Sequence, residues 1–394
     1  MNLRKSLIIT ICLISCPSLY ANFSILHYNI KELTTQKVDS YDKQIRYAKS
    51  VINKFNFDIA SINEVQFDLP NIPNSNFKTN GKNLEKIQQI IEIHNWNYSF
   101  NPANTGMNAR PKEDGTYYSS PSEEGAFENA DHLNFGIFPA QYSTGAIFKY
   151  KKISEKVINK LKWKTFNPKV DLSKFKDGKG NPVPNTIELF DKNFSDVLIE
   201  VEGKILHLVL LHTVPSFHFG NKHTMNYERN RDQLRFLEWY LTGSTDIHIP
   251  PLEDIKPLNK NDYFITVGDF NINIKGSDHG SLVLQSLFSK IGIWDEEATY
   301  TNESSGFYPS PMKLMLDYIG FSHNLRLINA KTYTPTSKRE EAGCETYPPE
   351  IKNKNIVSYS KSNKVCYAYV AKDYYRAKMA SDHFPIWAEF KFDK

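Results

Sequence analysis

Apolar and polar positions along this chain fall into short β-like runs separated by helical stretches, and polar residues gather where the runs end. Phe23 to Ile30 (FSILHYNI) is rich in β-formers and ends at Asn29, followed by Lys31-Glu32. From Tyr41 to Phe55 the apolar residues Ile45, Ala48, Val51, Ile52 and Phe55 recur at helical spacing, which predicts a helix. A strand follows over Phe57 to Ile62 and ends in Asn63-Glu64. This β-α-β unit sets polar groups at the carboxyl ends of both strands, where open α/β sheets bind their ligands. Leu84 to His94 predicts a second helix, and Trp96 to Phe100 and Tyr142 to Tyr150 predict strands, with Gly145 marking close backbone packing. Ser195–Glu202 and Lys204–Leu211 read as a hairpin turning at Gly203, and Arg229–Leu241 and Leu282–Ile291 as helices.

Two stretches lack such periodicity. Residues 101–134 are rich in Asn, Gly, Pro and Ser, with Glu113, Asp114, Glu123, Glu124, Glu128 and Asp131, and read as a solvated loop insertion. Their carboxylates invite a calcium reading, but the spacing matches no EF-hand loop. Residues 151–193 are basic and punctuated by Pro and Gly around Trp163, and read as a surface excursion.

The remaining runs carry the chemistry. Phe264 to Ile274 (FITVGDFNINI) is a continuous apolar run ending in Gly268-Asp269-Phe270-Asn271, the pattern of a strand covered on both faces. Gly268 permits a close backbone approach, and Asp269 and Asn271, two apart on an extended chain, face the same side. A carboxylate beside an amide can hold an attacking water and a phosphoryl oxygen, or serve a hard metal ion; an Asx turn is the plainer alternative. Glu64, directly after an apolar strand, needs exposure or a positive partner such as a metal ion. His212 ends the Lys204–Leu211 run, with His218 and His223 nearby, so an acid/base group, a metal cluster and a structural histidine all fit. Asp317 sits inside the apolar run Met315–Gly320, and a buried acid needs a partner. Asp382-His383 opens the closing strand, whose alternation runs to Phe390 and makes the carboxyl terminus part of the fold.

Composition narrows the class. The chain has 394 residues, 40% hydrophobic and 13% aromatic, enough for a sizeable core, and this excludes a disordered chain. Net charge is +4; Arg4 and Lys5 account for two of those charges, so the chain without residues 1–21 carries +2. That near-neutral balance gives no global field for polyanions, and only a local basic cleft would recruit them. Residues 1–21 read as a signal peptide: a basic start, an apolar run from Leu7 to Ile14 too short to span a bilayer, and small residues before Ala21. Leu13-Ile14-Ser15-Cys16 offers a rival, a lipoprotein box with Cys16 as the lipid anchor. Either way the mature chain is secreted or periplasmic. Cys344 and Cys366 then remain, a disulfide candidate in an oxidising compartment, with a two-cysteine metal site the weaker alternative. Closing that loop would stabilise by about 3 kcal/mol in the chain-entropy model.

Asn29, Glu64, Leu211–Ser216 (LHTVPS), Gly268–Asn271 (GDFN), Leu316–Ile319 (LDYI) and Ser381–Ile386 (SDHFPI) follow the motif order of the endonuclease/exonuclease/phosphatase superfamily. The resemblance runs from Phe23 to Phe390. It is nearest to secreted bacterial members with a Gln-Tyr-x-x-Gly strand, here Gln141 to Gly145, and an Arg/Asn-rich helix start, here Arg229 to Arg231. It implies an α/β fold, a four-layer sandwich of two mixed β-sheets packed face to face with helices outside, as one domain over 22–394. It implies a metal-dependent phosphoester hydrolase in which Glu64, with Asn29 and Asp382, holds Mg²⁺ or Mn²⁺; a binding module that keeps the fold without turnover is the weaker alternative, since Glu64, Asp269 and His383 are all present. Asp269 would orient or deprotonate the attacking water, and Asn271 would donate to the phosphate. His383, oriented by Asp317, and His212 would flank the phosphorus. The substrate would be a phosphoester, with nucleic acid, a phospholipid head group and an inositol phosphate all open, met by a monomer without a membrane span. Tyr117-Tyr118 and Phe217-His218-Phe219 are the candidates for an aromatic membrane contact. Arg229 and Arg231 are the candidates for a cationic cleft, and no residue matches the additional DNA-contacting arginines of deoxyribonuclease I. Asn63 where the superfamily often has Gln, and Phe270 where Leu is common, are mild departures.

Overall fold

Strict alternation along Phe23–Leu33 sends Phe23 and Ile25 to one face of the strand and Leu26 and Tyr28 to the other, and both faces are buried. A strand buried twice must lie inside a sheet covered on both sides. In the computed structural model this strand is central in a mixed six-stranded sheet of order Leu325–Thr332, Ile386–Phe392, Phe23–Leu33, Ile59–Val65, Ser143–Phe148, Asn97–Asn101. The structure describes residues 21–66, 81–216, 222–294, 300–303, 313–337, 339–344, 355–362 and 364–393. The signal peptide with Cys16, save Ala21, and the Phe217-His218-Phe219 segment lie outside the described residues.

A second mixed six-stranded sheet has the order Lys151–Ile158, Phe194–Val201, Lys204–Leu211, Tyr263–Asp269, Asp317–Phe321, Gly292–Ile293. The two sheets share one core: Phe23, Ile25, Ile59, Phe148 and Phe390 from the first meet Val197, Leu208, Ile265 and Ile319 from the second. On the outer face of the first sheet, Leu26, Tyr28, Ala60, Ile62 and Ile147 pack on helices Lys43–Ile52, Lys82–Ile90 and Lys372–Ala380. The Asp42 carboxylate caps the first of these helices by accepting from Ile45 N. Helices Met225–Thr242 and His279–Phe288 pack on each other and on the outer face of the second sheet. The four-layer α/β sandwich expected from the sequence is thus the observed architecture.

Three expectations are corrected. Residues 151–193 are not a surface excursion: Lys151–Ile158 is an edge strand of the second sheet, and Trp163, Phe166, Leu189 and Phe190 are fully buried core. Trp163 donates Nε1–H to Asp232 Oδ2 at 2.6 Å, so the polar end of its ring is satisfied as well. Residues 101–134 are a loop whose Ala126 and Ala130 form a small core with Ile137 and Phe138 just beyond it, and Tyr117 and Tyr118 pack against that core rather than standing ready for a membrane. Asp131 anchors that loop by accepting N–H bonds from Asn108 N, Asn108 Nδ2, Leu133 N and Asn134 N, which satisfies the carboxylate. Arg229 is fully buried and donates to the Leu189 and Glu188 carbonyls and to Asn134 Oδ1, while Arg231 pairs with Glu228 and Asp232. Neither arginine lines a cationic cleft.

A three-stranded antiparallel sheet, order Glu340–Cys344, Lys364–Tyr369, Ile356–Lys361, is appended before the last helix. Cys344 faces Cys366 in its register, and the two form the disulfide. No helix among the described residues is long and apolar enough to cross a membrane.

Away from the cleft, His207 Nδ1 pairs with Asp196 Oδ2 at 2.7 Å. Burial opposes its protonation, but the hydrogen bond and charge of Asp196 outweigh burial and raise its pKa above the usual value. A raised folded pKa contributes stability that is complete below the unfolded pKa and disappears as pH rises through the folded one. His207→Gln is therefore expected to cost about 1–2 kcal/mol below pH ~6 and clearly less above pH ~9, read by urea unfolding at both. Equal losses at the two pH values would remove the charged pair from the account.

Candidate active site

At one rim of the second sheet a strand ends beside the start of its antiparallel neighbour, and both residues there are acids: Asp269 closes Tyr263–Asp269, and its direct partner Asp317 opens Asp317–Phe321. The approach is tight because Gly268 sits against the neighbouring strand; a Cβ there would lie 1.6 Å from the Leu211 carbonyl oxygen. Gly268→Ala is expected to destabilise by at least ~3 kcal/mol, measured by denaturant unfolding, since the obstacle is backbone and cannot rotate away. Wild-type stability in that variant would contradict the packing described.

Asp317, 1% exposed, is held between two histidines. Its Oδ2 accepts from His383 Nδ1 at 2.7 Å and its Oδ1 from His27 Nε2 at 3.1 Å, while His27 Nδ1 meets Ser61 Oγ at 3.1 Å. His27 lies on the inner face of the first sheet, so this contact bridges the two sheets. Burial would raise the Asp317 pKa, but the His383 charge and the two imidazole hydrogen bonds hold it well below the usual carboxylate range. Conversely, burial would lower the pKa of His383, and the charges of Asp317 and Asp269 with the Asp317 hydrogen bond lift it well above the ordinary histidine value. These charges favour the protonated form of His383, with Nδ1 committed to Asp317 and Nε2 turned toward Asp269.

Asp269 Oδ2 is the convergence point: Asn29 Nδ2 at 3.1 Å, His212 Nε2 at 3.6 Å and His383 Nε2 at 3.7 Å. Its other oxygen accepts from Asn271 N at 2.8 Å, which is the Asx turn of the plainer alternative, while Oδ2 faces the cluster. Burial, helped by the negative charges of Asp317 and Glu64, pushes the Asp269 pKa up to about 7 despite His383. His212 is driven well below the ordinary value by burial and then by the positive charges of Lys192, His383 and His27, and is a neutral imidazole.

Glu64 reaches the same site through a backbone irregularity. Ile59, Ser61 and Asn63 face inward, so alternation would turn Glu64 outward. The register shifts between Asn63 and Val65 against both neighbours, and Glu64 takes φ 66°, which brings its carboxylate back to Asn29 Nδ2 at 3.1 Å and Glu32 N at 2.9 Å. Glu32, Tyr142 and Asn271 share the left-handed backbone, and Tyr142 Oη donates to Glu32 Oε1. Such strain costs ~1–3 kcal/mol per residue and collects at functional sites. Burial and the nearby Asp382 charge raise the Glu64 pKa. Asp382, half-exposed and 3.5 Å from Lys31 Nζ, is held low by the charges of His383, Lys31 and Lys378 against the effect of burial. Ser381 ties the pieces together: Oγ donates to the Asn29 carbonyl at 2.7 Å and accepts from His383 N at 3.1 Å.

The sequence-derived residues Asn29, Glu64, His212, Asp269, Asp317, Asp382 and His383 thus gather around one cleft rim. Asn271 is there too, but its Nδ2 donates to the Thr213 carbonyl at 3.0 Å, which turns the amide toward the backbone. His223 is exposed and no part of the cluster, and His218 lies outside the described residues. His27, Ser381 and Thr301, whose Oγ1 accepts from Leu316 N and Asp317 N, belong to the site and were missed. The only signal for His27 is a polar residue at an inward position of an otherwise apolar strand.

Two donor sets fit a divalent cation. Asp269, Asp317 and His383 each offer an atom, all within 4.8 Å of one another. Both Asp317 oxygens and His383 Nδ1 are, however, already spent on each other and on His27. Asn29 Oδ1 is buried without a hydrogen-bond partner among the described residues, on the amide whose Nδ2 meets the Glu64 carboxylate, and amide and carboxylate oxygens are the hard donors that suit Mg²⁺ or Mn²⁺.

No protein-family model matches the chain, and no curated protein matches it. Among solved structures, an endonuclease/exonuclease/phosphatase family protein from Bacteroides thetaiotaomicron is 10% identical, aligning over 95% of this chain and 99% of its own with TM-score 0.48. One from Leptotrichia buccalis is 13% identical over 94% of this chain and 100% of its own, TM-score 0.47. TDP2 of D. rerio, complexed with a single-strand DNA product, is 12% identical over 94% and 99%, TM-score 0.45.

Proposed function

We propose that this protein is a divalent-metal-dependent phosphoesterase of the endonuclease/exonuclease/phosphatase type, hydrolysing a phosphodiester or phosphomonoester by in-line water attack. The observation that carries the reading is the convergence of His212 Nε2 and His383 Nε2 on one oxygen of Asp269, with Asp317 behind His383 and Glu64 beside Asn29. A phosphoryl group entering between the imidazoles receives two N–H donors on its oxygens, one carrying full positive charge, where negative charge grows in the transition state. Asp269, with its pKa near working pH, takes the proton of the attacking water. Asp317 keeps His383 charged and oriented, and His27 and Thr301 fix Asp317 in turn. Asn271 keeps one amide N–H for the phosphate after bonding Thr213. Glu64 and Asn29, with Asp382, would hold Mg²⁺ or Mn²⁺, which supplies Lewis-acid neutralisation of the phosphoryl and leaving oxygens.

Export through residues 1–21 belongs to this reading, with the Cys16 anchor as its variant, and the Cys344–Cys366 disulfide supports an oxidising compartment. The direct test is hydrolysis of bis-p-nitrophenyl phosphate with Mg²⁺, then in excess chelator. Turnover that stops in chelator and returns with Mg²⁺ supports the assignment; turnover that persists in chelator removes the metal from it.

A further inference from the structure

Beside Asp382 and Ser381 the cleft opens into a cavity of about 400 Å³ between the appended three-stranded sheet and the start and end of the first sheet's covering helices. Four cations line it, Lys31, Lys37, Arg339 and Lys378, against two carboxylates, Glu32 and Asp382. Asp382 already faces Lys31, and Glu32 is turned by its left-handed backbone toward Tyr142. Among the described lining residues positive charge therefore outnumbers negative, in a partly enclosed space where it acts more strongly than on an open surface. Lys37 is braced for this position, with Nζ donating to the Glu32 carbonyl at 2.8 Å. Arg339 is braced likewise, bonded to Tyr374 Oη with its guanidinium over the Tyr374 ring at 5.1 Å.

We infer that this cavity is a substrate subsite for a second anionic group, so that the preferred substrate is a compact phosphoester carrying two anions, the size of a phosphorylated sugar. The inference rests on the phosphoesterase reading for the scissile phosphate and adds the rest of the substrate. The volume is that of a small-molecule site, too small for a duplex. The walls also argue against a quaternary ammonium head group: an aromatic face that would cradle such a cation, that of Tyr374, is already covered by Arg339, and the remaining charge repels it. Because Ser381 and Asp382 line both the cavity and the catalytic rim, one molecule can occupy both.

The test separates binding from turnover. Calorimetric titration of the full protein with a hexose bisphosphate, the matching monophosphate and glycerophosphocholine, without metal, reads binding apart from turnover. The bisphosphate is expected to bind at least about tenfold tighter than the monophosphate, and glycerophosphocholine not at all. In Lys37→Gln/Lys378→Gln that preference is expected to fall to within about twofold, while kcat/KM on bis-p-nitrophenyl phosphate, which has no second anion, stays within about twofold of wild type. Equal affinity for the two phosphates, or tighter binding of glycerophosphocholine, overturns the subsite. Bisphosphate preference without turnover of any ester would instead overturn the phosphoesterase reading and leave the anion cavity standing.

Discussion

Alanine in place of His383 is expected to lower kcat/KM on bis-p-nitrophenyl phosphate by about 10³–10⁴-fold. The loss has two parts. The phosphoryl oxygens lose a charged N–H donor, and Asp317 loses the partner on Oδ2 while keeping only His27 on Oδ1. A buried carboxylate left half-paired costs stability, so thermal unfolding must accompany the kinetics. His383→Gln isolates the charge, since an amide N–H can still reach Asp317. If the glutamine variant keeps more than about a tenth of wild-type activity, the imidazolium charge is not what stabilises the transition state. His27→Gln should be milder than either, because it touches only the far oxygen of Asp317.

Glu64→Ala is expected to abolish Mg²⁺-dependent turnover to a comparable degree, about 10³-fold or more, and to separate activity from stability in the opposite direction. Glu64 is a carboxylate whose ionisation is disfavoured by burial and by Asp382, on a left-handed backbone. Its removal relieves that repulsion, so the metal-free protein should unfold no earlier than wild type. Wild type should gain about 2.7 kcal/mol when Mg²⁺ is present at a hundred times its Kd, and the variant should gain little. A variant that keeps the full Mg²⁺-induced rise in Tm would move the ion to the Asp269, Asp317 and His383 atoms instead.

What the sequence made legible and what it hid divide along a physical line. Asp269 was legible because a continuous apolar strand ended in Gly-Asp beside a turn, and local pattern alone delivers that. Asp317 and His383 were legible as a buried acid and a histidine in need of each other, once the motif order paired them. His27 was hidden because its contact with Asp317 spans 290 residues and two sheets, and no local period encodes that register. The aim of Glu64 was hidden for a related reason: it depends on a bulge that breaks the alternation used to read strands. Residues 151–193 deceived because Trp163, Phe166 and Leu172 are separated by Lys, Asn, Pro and Asp rather than set at a sustained period, and they enter the core from single short turns. The appended sheet was unread because Glu340–Cys344 is almost wholly exposed and carries no apolar alternation to mark it as a strand.

The place of the first strand sets the order of assembly. Phe23–Leu33 is sandwiched between Ile59–Val65 and the closing strand, with Phe23 opposite Phe390. A chain emerging amino end first therefore holds an open hydrogen-bonding edge until its final residues arrive, and Asn29 and Ser381 meet only then. Joining partners so far apart in sequence makes for slow, topology-limited folding. The rim where Asn29 and Ser381 meet is consequently among the last parts to form, and a chain lacking the closing strand is expected to show no turnover whatever else it has folded.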